Sequence, residues 1–299
     1  MKILLTGASG QLGPYIVRSL LRDQHELTLW SQSWPEPVFG IPVRQIELSD
    51  FDATGRAFAE VKPDVVIHAA AISNVQQALS DPTRAERVNT YATAALAELA
   101  AHHRARMIYL STDLVFDGER DNSITGYTER DGTRPLSCYA QTKLMGEGPV
   151  MLREQANLVL RLPLMIGPSL NSRIKFFDHL LAALRGSRKI TLFDDEWRTP
   201  IAPDVVANGI ALAAATGIAG LFHLGGPQRM SRYEIGTALA RLIDADPATI
   251  VAASRLSIES SEPRPRDVSL DSSKWYAALP QCPRPAFEES VARLISSGA

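Results

Sequence analysis

Short apolar runs alternate with longer amphipathic stretches through the first 165 residues. "KILLT" (2–6), "ELTLW" (26–30), "DVVIHA" (64–69), "MIYLS" (107–111) and "LVLRL" (158–162) read as buried strands, and "VRQIEL" (43–48) as a further short one. Helical spacing of apolar positions falls between them, at 11–22, 52–61, 83–103 and 140–154. Strands that alternate with helices predict βαβ units and a parallel sheet covered on both faces. Beyond residue 165 the alternation loosens. A helix at 175–186, a strand at 189–193, a helix at 203–215, a strand at 220–225, and helices at 231–243 and 286–296 are expected there, with a Pro/Arg-rich stretch at 260–268. The pattern predicts an α/β chain: a doubly wound, Rossmann-type parallel sheet with a smaller, mixed C-terminal lobe. We place the dinucleotide-binding domain at 1–165, with segments near 200–225 returning to it, and a mainly substrate-binding lobe at 166–299.

The turn after the first strand carries chemistry. "LLTGASGQLG" spaces Gly7, Gly10 and Gly13 by three and opens directly into the first helix. The first glycine permits a tight turn, the second lets backbone approach a pyrophosphate, and the third lets helix pack on strand. A helix N-terminus then offers free N–H groups to phosphate. Three surface glycines would do none of this, but a strand before and a helix after them favour a dinucleotide site. An NAD site is expected to place an acidic residue at the end of the second strand. Here Ser31, Gln32 and Ser33 stand there, which favours NADP(H) and leaves NAD(H) open. "HAAAIS" (68–73) ends the fourth strand in Ala69, Ala70 and Ala71, small enough for a cofactor to lie over the backbone. His68 reads as a strand-end hydrogen-bonding residue.

Composition narrows the classes. A net charge of −2 over 299 residues gives no reason to expect nucleic acid or an anionic membrane. No apolar run approaches the roughly 20 residues that span a bilayer, and "MKILLTG" turns polar too early for a signal peptide. Cys138 and Cys282 have no metal-like spacing, and His102-His103 reads as solvated, so no metal is expected and a reducing cytoplasm fits.

The fifth strand ends in Ser111, Thr112 and Asp113, and the next helix begins "CYAQTK". Open α/β sheets hold ligands at the carboxyl edge of the strands, where these segments meet. Residues four apart share a helix face, so Tyr139 and Lys143 return together to that edge. As an isolated pair they would be an ordinary helix face. Joined to the glycine turn and the alanines, in this order, they read as a proton donor with its cation.

With these stretches in view, the chain resembles the extended short-chain dehydrogenase/reductases, nearly end to end. Within them it is most similar to the dTDP-4-dehydrorhamnose reductases and the methionine adenosyltransferase beta subunits. "LLTGASGQLG", "STDLVFDG", "PLSCYAQTKLMGE", "VLRLPLMIG" and "EPRPRDVSLDSSKW" carry the resemblance. It implies Thr112, Tyr139 and Lys143 as the catalytic set. It implies a cofactor held by Gly7, Ser9, Gly10, Gln11, Leu12, Gly13, Ser31, Ser33, Leu48, Ala69, Ala70, Ala71 and Asn89, with Tyr139 and Lys143 also touching it. Asp113 and Arg264 are expected to bind substrate, Arg264 by its diphosphate. Lys143 is expected to bond the nicotinamide ribose and lower the Tyr139 pKa.

The implied activity is NAD(P)H-dependent reduction of a 4-keto group on a nucleotide-linked deoxysugar. A nucleotide-sugar epimerase and a non-catalytic, NADP-binding regulatory subunit are the alternatives, and a homodimer is open. Asp113-Leu114 stands where dehydratases carry Asp-Glu, which disfavours elimination. Ala140 replaces the usual glycine after the tyrosine, and Leu114 a frequent second tyrosine.

Overall fold

The computed structural model describes residues 1–32, 36–120, 125–154, 156–171, 175–257, 259 and 261–297. Ser33 lies outside them. The chain runs β1 (Lys2–Thr6), α1 (Gly13–Leu20), β2 (Glu26–Ser31), β3 (Val43–Gln45), α2 (Phe51–Val61), β4 (Val65–His68), α3 (Val75–Ser80), α4 (Pro82–Glu86), α5 (Ala92–His102), β5 (Arg106–Thr112), α6 (Cys138–Arg153) and β6 (Leu158–Leu162). It continues through α7 (Phe176–Arg185), β7 (Ile190–Phe193), β8 (Trp197–Arg198), α8 (Pro203–Thr216), β9 (Gly220–His223), β10 (Met230–Ser231), α9 (Arg232–Leu242), β11 (Ile250–Ala253), α10 (Ser273–Ala278) and α11 (Phe287–Ser296). Seven parallel strands pair in the order β3-β2-β1-β4-β5-β6-β9.

Alternation along the central strands sends side chains into two cores. Ile3, Leu5, Ile67, Ile108 and Leu160 meet α1 and α8 on one face. Leu4, Val66, Met107, Tyr109 and Val159 meet α2, α5 and α6 on the other. Burial on both faces explains why these strands read as continuous apolar runs. β7 and β11 pair in parallel, β8 and β10 antiparallel. The β7–β11 pair packs with α7, α9 and α11 around a separate core that includes Phe177, Leu180, Ile235, Leu239, Phe287 and Val291.

Three differences from the sequence pattern bear on the cleft. The first helix starts at Gly13, because residues 7–12 form the glycine turn. The strand expected over 43–48 ends at Gln45; Asp50 caps α2 by accepting from the Ala53 N–H at 3.0 Å, so 46–49 is loop. The helix expected over 83–103 is divided by a wide π-turn at Arg87–Tyr91. Such turns concentrate at functional sites. This one turns Asn89 inward.

Candidate active site

A cleft opens along the carboxyl edge of the sheet. Its floor is the glycine turn, with Thr6, Gly7, Ser9, Gly10, Gln11, Leu12 and Gly13 on its walls. Gly7 has φ +74°, and a Cβ there would lie 2.6 Å from the Ala70 nitrogen. A Cβ on Gly13 would lie 2.3 Å from the Ala8 carbonyl oxygen, so only glycine lets α1 start this close to β1. Leu12 caps α1 without a side-chain hydrogen bond, and no acidic residue sits in the first turn. The N–H groups there remain open to an anion. That is the cradle a dinucleotide pyrophosphate requires.

Ala69, Ala70, Ala71 and Ser31 line the same cleft, as does Leu48. The Ser9 and Ser31 hydroxyls pair at 2.5 Å. One neighbour escaped the sequence pattern. Glu47 lines the cleft, its Oε2 accepting from Gln32 Nε2 at 2.5 Å and its Oε1 from the Ser49 hydroxyl at 2.7 Å. The carboxylate missing from the end of β2 thus arrives from the loop after β3. Burial raises its pKa, but the Ser49 and Gln32 hydrogen bonds and the charge of Arg84 outweigh this and hold it low, so Glu47 is ionised. Its signal was hidden because residues 43–48 look like uninterrupted strand.

At the far end of the cleft stand Ser111, Thr112, Tyr139 and Lys143, with Lys175 arriving from the C-terminal lobe. Ser137 caps α6, accepting from the Ala140 N–H, and this fixes the entry of the helix that carries Tyr139 and Lys143. Ala140 is fully buried, and Leu114 packs beside Leu144 against the Phe116–Tyr127 cluster. Lys143 is 3% exposed, its ammonium 4.0 Å from the centre of the Tyr109 ring. Burial lowers its pKa to about 7, opposed by the Glu147 carboxylate. Tyr139 is pushed well above 10 by burial and then by Asp113, while the Thr112 hydroxyl pulls the other way. The expected lowering of Tyr139 by Lys143 therefore does not appear here; desolvation dominates both groups. A tyrosine so placed stays protonated at neutral pH, as a proton donor must.

Several expected contacts fall outside the cleft lining. Asn89 is fully buried: its Oδ1 accepts from the Ile72 N–H at 2.8 Å, and its Nδ2 donates to the Ile72 carbonyl and to Thr142 Oγ1. Its amide fastens the chain after the alanines to α6, so it shapes the cleft without lining it. His68 is also fully buried, between the Thr6 and Thr93 hydroxyls. Asp113 is 4% exposed, accepts from the Thr112 hydroxyl at 3.1 Å, and lies 3.4 Å from Arg198 Nε. Burial raises its pKa to about 6, with Arg198 opposing.

Arg198 leads to an arginine cluster of which the sequence announced only Arg264. Glu196, 2% exposed, meets Arg198 at 3.3 Å, Arg232 at 3.0 Å and Arg264 at 3.1 Å. Burial opposes its ionisation, but the three guanidinium groups bring its pKa down to about 2. Arg264 stacks over Phe193 and Arg232 over Phe176. Glu196 and Asp113 are two buried carboxylates against three arginines, which leaves the cluster cationic.

A strand-first glycine turn, a doubly wound parallel sheet and a Thr-Tyr-Lys set at its carboxyl edge define an extended short-chain dehydrogenase/reductase. The particular branch follows from the whole chain: it belongs to the RmlD substrate binding domain family, matched over residues 1–299. It is 30% identical to the probable low-salt glycan biosynthesis reductase of Haloferax volcanii, over 98% of this chain and 97% of that one. It is 28% identical to the methionine adenosyltransferase 2 beta subunit of Rattus norvegicus, over 91% and 81%. Among solved structures, the dTDP-4-dehydrorhamnose reductase of Yersinia enterocolitica superposes with a TM-score of 0.84 at 26% identity, over 99% of each chain.

Proposed function

We propose that the chain is an NAD(P)H-dependent reductase that converts a 4-keto group of a nucleotide-linked deoxysugar to the alcohol. The observation that carries this reading is the single cleft that runs from the glycine turn to Thr112, Tyr139 and Lys143. The open N-terminus of α1 and the small residues after β4 fit a dinucleotide, which when bound supplies the hydride. Tyr139 then donates its proton to the carbonyl oxygen as charge develops there, and Thr112 offers that oxygen a second hydrogen bond. Lys143 holds the nicotinamide ribose. Screening 4-keto nucleotide sugars against simple ketones, with reduced cofactor followed by absorbance, tests the proposal. Steady consumption is expected with the nucleotide sugars. Binding of NADP without turnover of any of them would favour a regulatory subunit, the second reading that the rat beta subunit supports.

For the cofactor we propose a preference for NADPH. Ser31 and Ser9 present hydroxyls to the cleft. Glu47 is ionised there, but its two oxygens are bonded to Ser49 and Gln32, which leaves them less free to take the ribose hydroxyls that NADH would offer. In fluorescence titrations NADPH should bind more tightly than NADH, and Ser31→Asp should reverse the order. Several-fold tighter NADH binding to the unaltered protein would refute this.

The cationic cluster suits the substrate diphosphate, with Arg264 and Arg232 as its ligands. Arg264 is the more open of the two, its side chain 39% exposed. Planar guanidinium groups pair with phosphate oxygens through two hydrogen bonds. Arg264→Ala should raise KM by about 10-fold or more with a smaller change in kcat, as expected when ground and transition states share the contact. Unchanged kinetics with a nucleotide-linked substrate would make Arg264 a surface partner of Glu196 alone.

A further inference from the structure

"LVLRL" places an arginine in the middle of a strand that is otherwise apolar. A buried guanidinium loses its hydration, so Arg161 needs an anion. It is 4% exposed and meets Glu147 through two parallel bonds, Nε to Oε1 at 2.9 Å and Nη2 to Oε2 at 2.7 Å. Glu147 is itself 7% exposed, and its Oε1 also accepts from the Ser111 hydroxyl at 2.5 Å. On the other side of Arg161, Nη1 lies 3.5 Å from His223 Nε2. Burial and then Arg161 push His223 down to about 3, so that ring is neutral.

The position of this carboxylate in the fold is what matters. Tyr139, Lys143 and Glu147 are spaced by four on α6, along one face. Ser111 immediately precedes Thr112 on β5. We propose that Glu147 is a positioning residue: its carboxylate ties the helix carrying Tyr139 and Lys143 to β5 beside Thr112 and to β6, and it faces Lys143 with a fixed negative charge.

The surroundings of Lys143 support this. From its own helix it is faced by Tyr139 and Glu147. From β5 comes the Tyr109 ring, whose hydroxyl also donates to the Lys143 carbonyl at 3.1 Å. From β4 comes His68, which burial and then Lys143 hold near a pKa of 3 and therefore neutral. The π-turn contributes Thr90, whose hydroxyl donates to the Thr142 carbonyl, and Asn89, on the Thr142 hydroxyl; both are uncharged. Among these groups Glu147 is the anion.

The inference concerns the reductase site proposed above, but one arm of its test is independent of turnover. Glu147→Gln keeps the side-chain shape and removes the charge. In the full-length protein without cofactor, the Lys143 Cε resonance, one of six lysines in the chain, should titrate about one pH unit lower in the variant. With a competent substrate kcat should fall about 10-fold or more while KM stays within about twofold, because the arginine cluster is untouched. A variant that loses thermal stability but keeps both the Lys143 titration and kcat would overturn the proposal and leave Glu147 a structural partner of Arg161. Should Glu147→Gln fail to fold, the double variant Glu147→Gln/Arg161→Met removes both charges of the pair. The Lys143 titration should again move down, and an unmoved titration overturns the proposal. Absence of turnover in the unaltered protein would sink the reductase reading, and the titration alone would then decide the role of Glu147.

Discussion

Replacing Tyr139 by phenylalanine is expected to lower kcat by roughly 10²–10⁴-fold, the usual contribution of a positioned general acid. The substitution removes one oxygen and almost no volume, so the packing at the start of α6 survives and cofactor binding should change little. Burial and Asp113 hold the Tyr139 proton on its oxygen throughout the neutral range. The residue is therefore always in the donor form, and its loss cannot be disguised by a change of pH. Thr112 remains in the variant, and its hydroxyl can still hydrogen-bond the carbonyl oxygen. Thr112 carries that proton as a donor of hydrogen bonds and does not give it up, so residual activity should be small. Stopped-flow or steady-state assays on a competent substrate check this, with circular dichroism confirming the fold. Near-normal turnover would make Tyr139 a helix residue and remove the basis of the reductase reading.

Lys143→Met is expected to act in two opposite directions. Function should be lost, with weaker cofactor binding and kcat reduced by about 10²-fold or more, since on the proposed reading the ammonium holds the ribose and so positions the hydride donor. Stability of the cofactor-free protein should rise. The folded state holds Lys143 at a pKa of about 7, against roughly 10.4 for a free lysine, because its burial outweighs the Glu147 carboxylate that favours its charge. Between those two values the unfolded chain binds more protons than the folded one, so unfolding free energy contributed by this group increases with pH. Methionine fills similar space without a charge. The variant should melt higher at pH 7 by roughly 2–4 °C or more, and the advantage should shrink as the pH is raised toward 10. Thermal melts of both proteins across that range read the effect. A variant that melts lower at every pH would mean that Lys143 pays its way through contacts other than its charge.

The two halves of the site differed in how plainly the sequence announced them. Gly7, Gly10 and Gly13, the alanines after β4, and the Tyr139–Lys143 spacing are local patterns, each confined to one turn or one helix face. They could be read without knowing what packs against them. Asn89 was expected at the cofactor through the family resemblance, but its inward bonding was not. The π-turn that buries it depends on hydrogen bonds to Ile72 and Thr142, which are distant in sequence. Glu47 was hidden by a strand that stops three residues sooner than its apolar pattern suggests, because Asp50 starts a helix at once. The cluster of Glu196, Arg198, Arg232 and Arg264 draws on three segments of the C-terminal lobe, and no periodicity links them. Arg161 gave the clearest warning. A charge inside an apolar strand demands a partner, and Glu147 lay in the same stretch as Tyr139 and Lys143.

The central claim is that this cleft moves a hydride onto a sugar carbonyl while Tyr139 protonates the oxygen. The measurement that addresses it most directly is transfer of label from NADPH deuterated at the nicotinamide C4 to a 4-keto-6-deoxy nucleotide sugar, followed by NMR of the product. Deuterium on the sugar C4 is expected, with one cofactor oxidised per alcohol formed, and both should be lost in Tyr139→Phe. Reduced cofactor that binds and is recovered unoxidised, with the ketone unchanged across the nucleotide sugars tried, would contradict it.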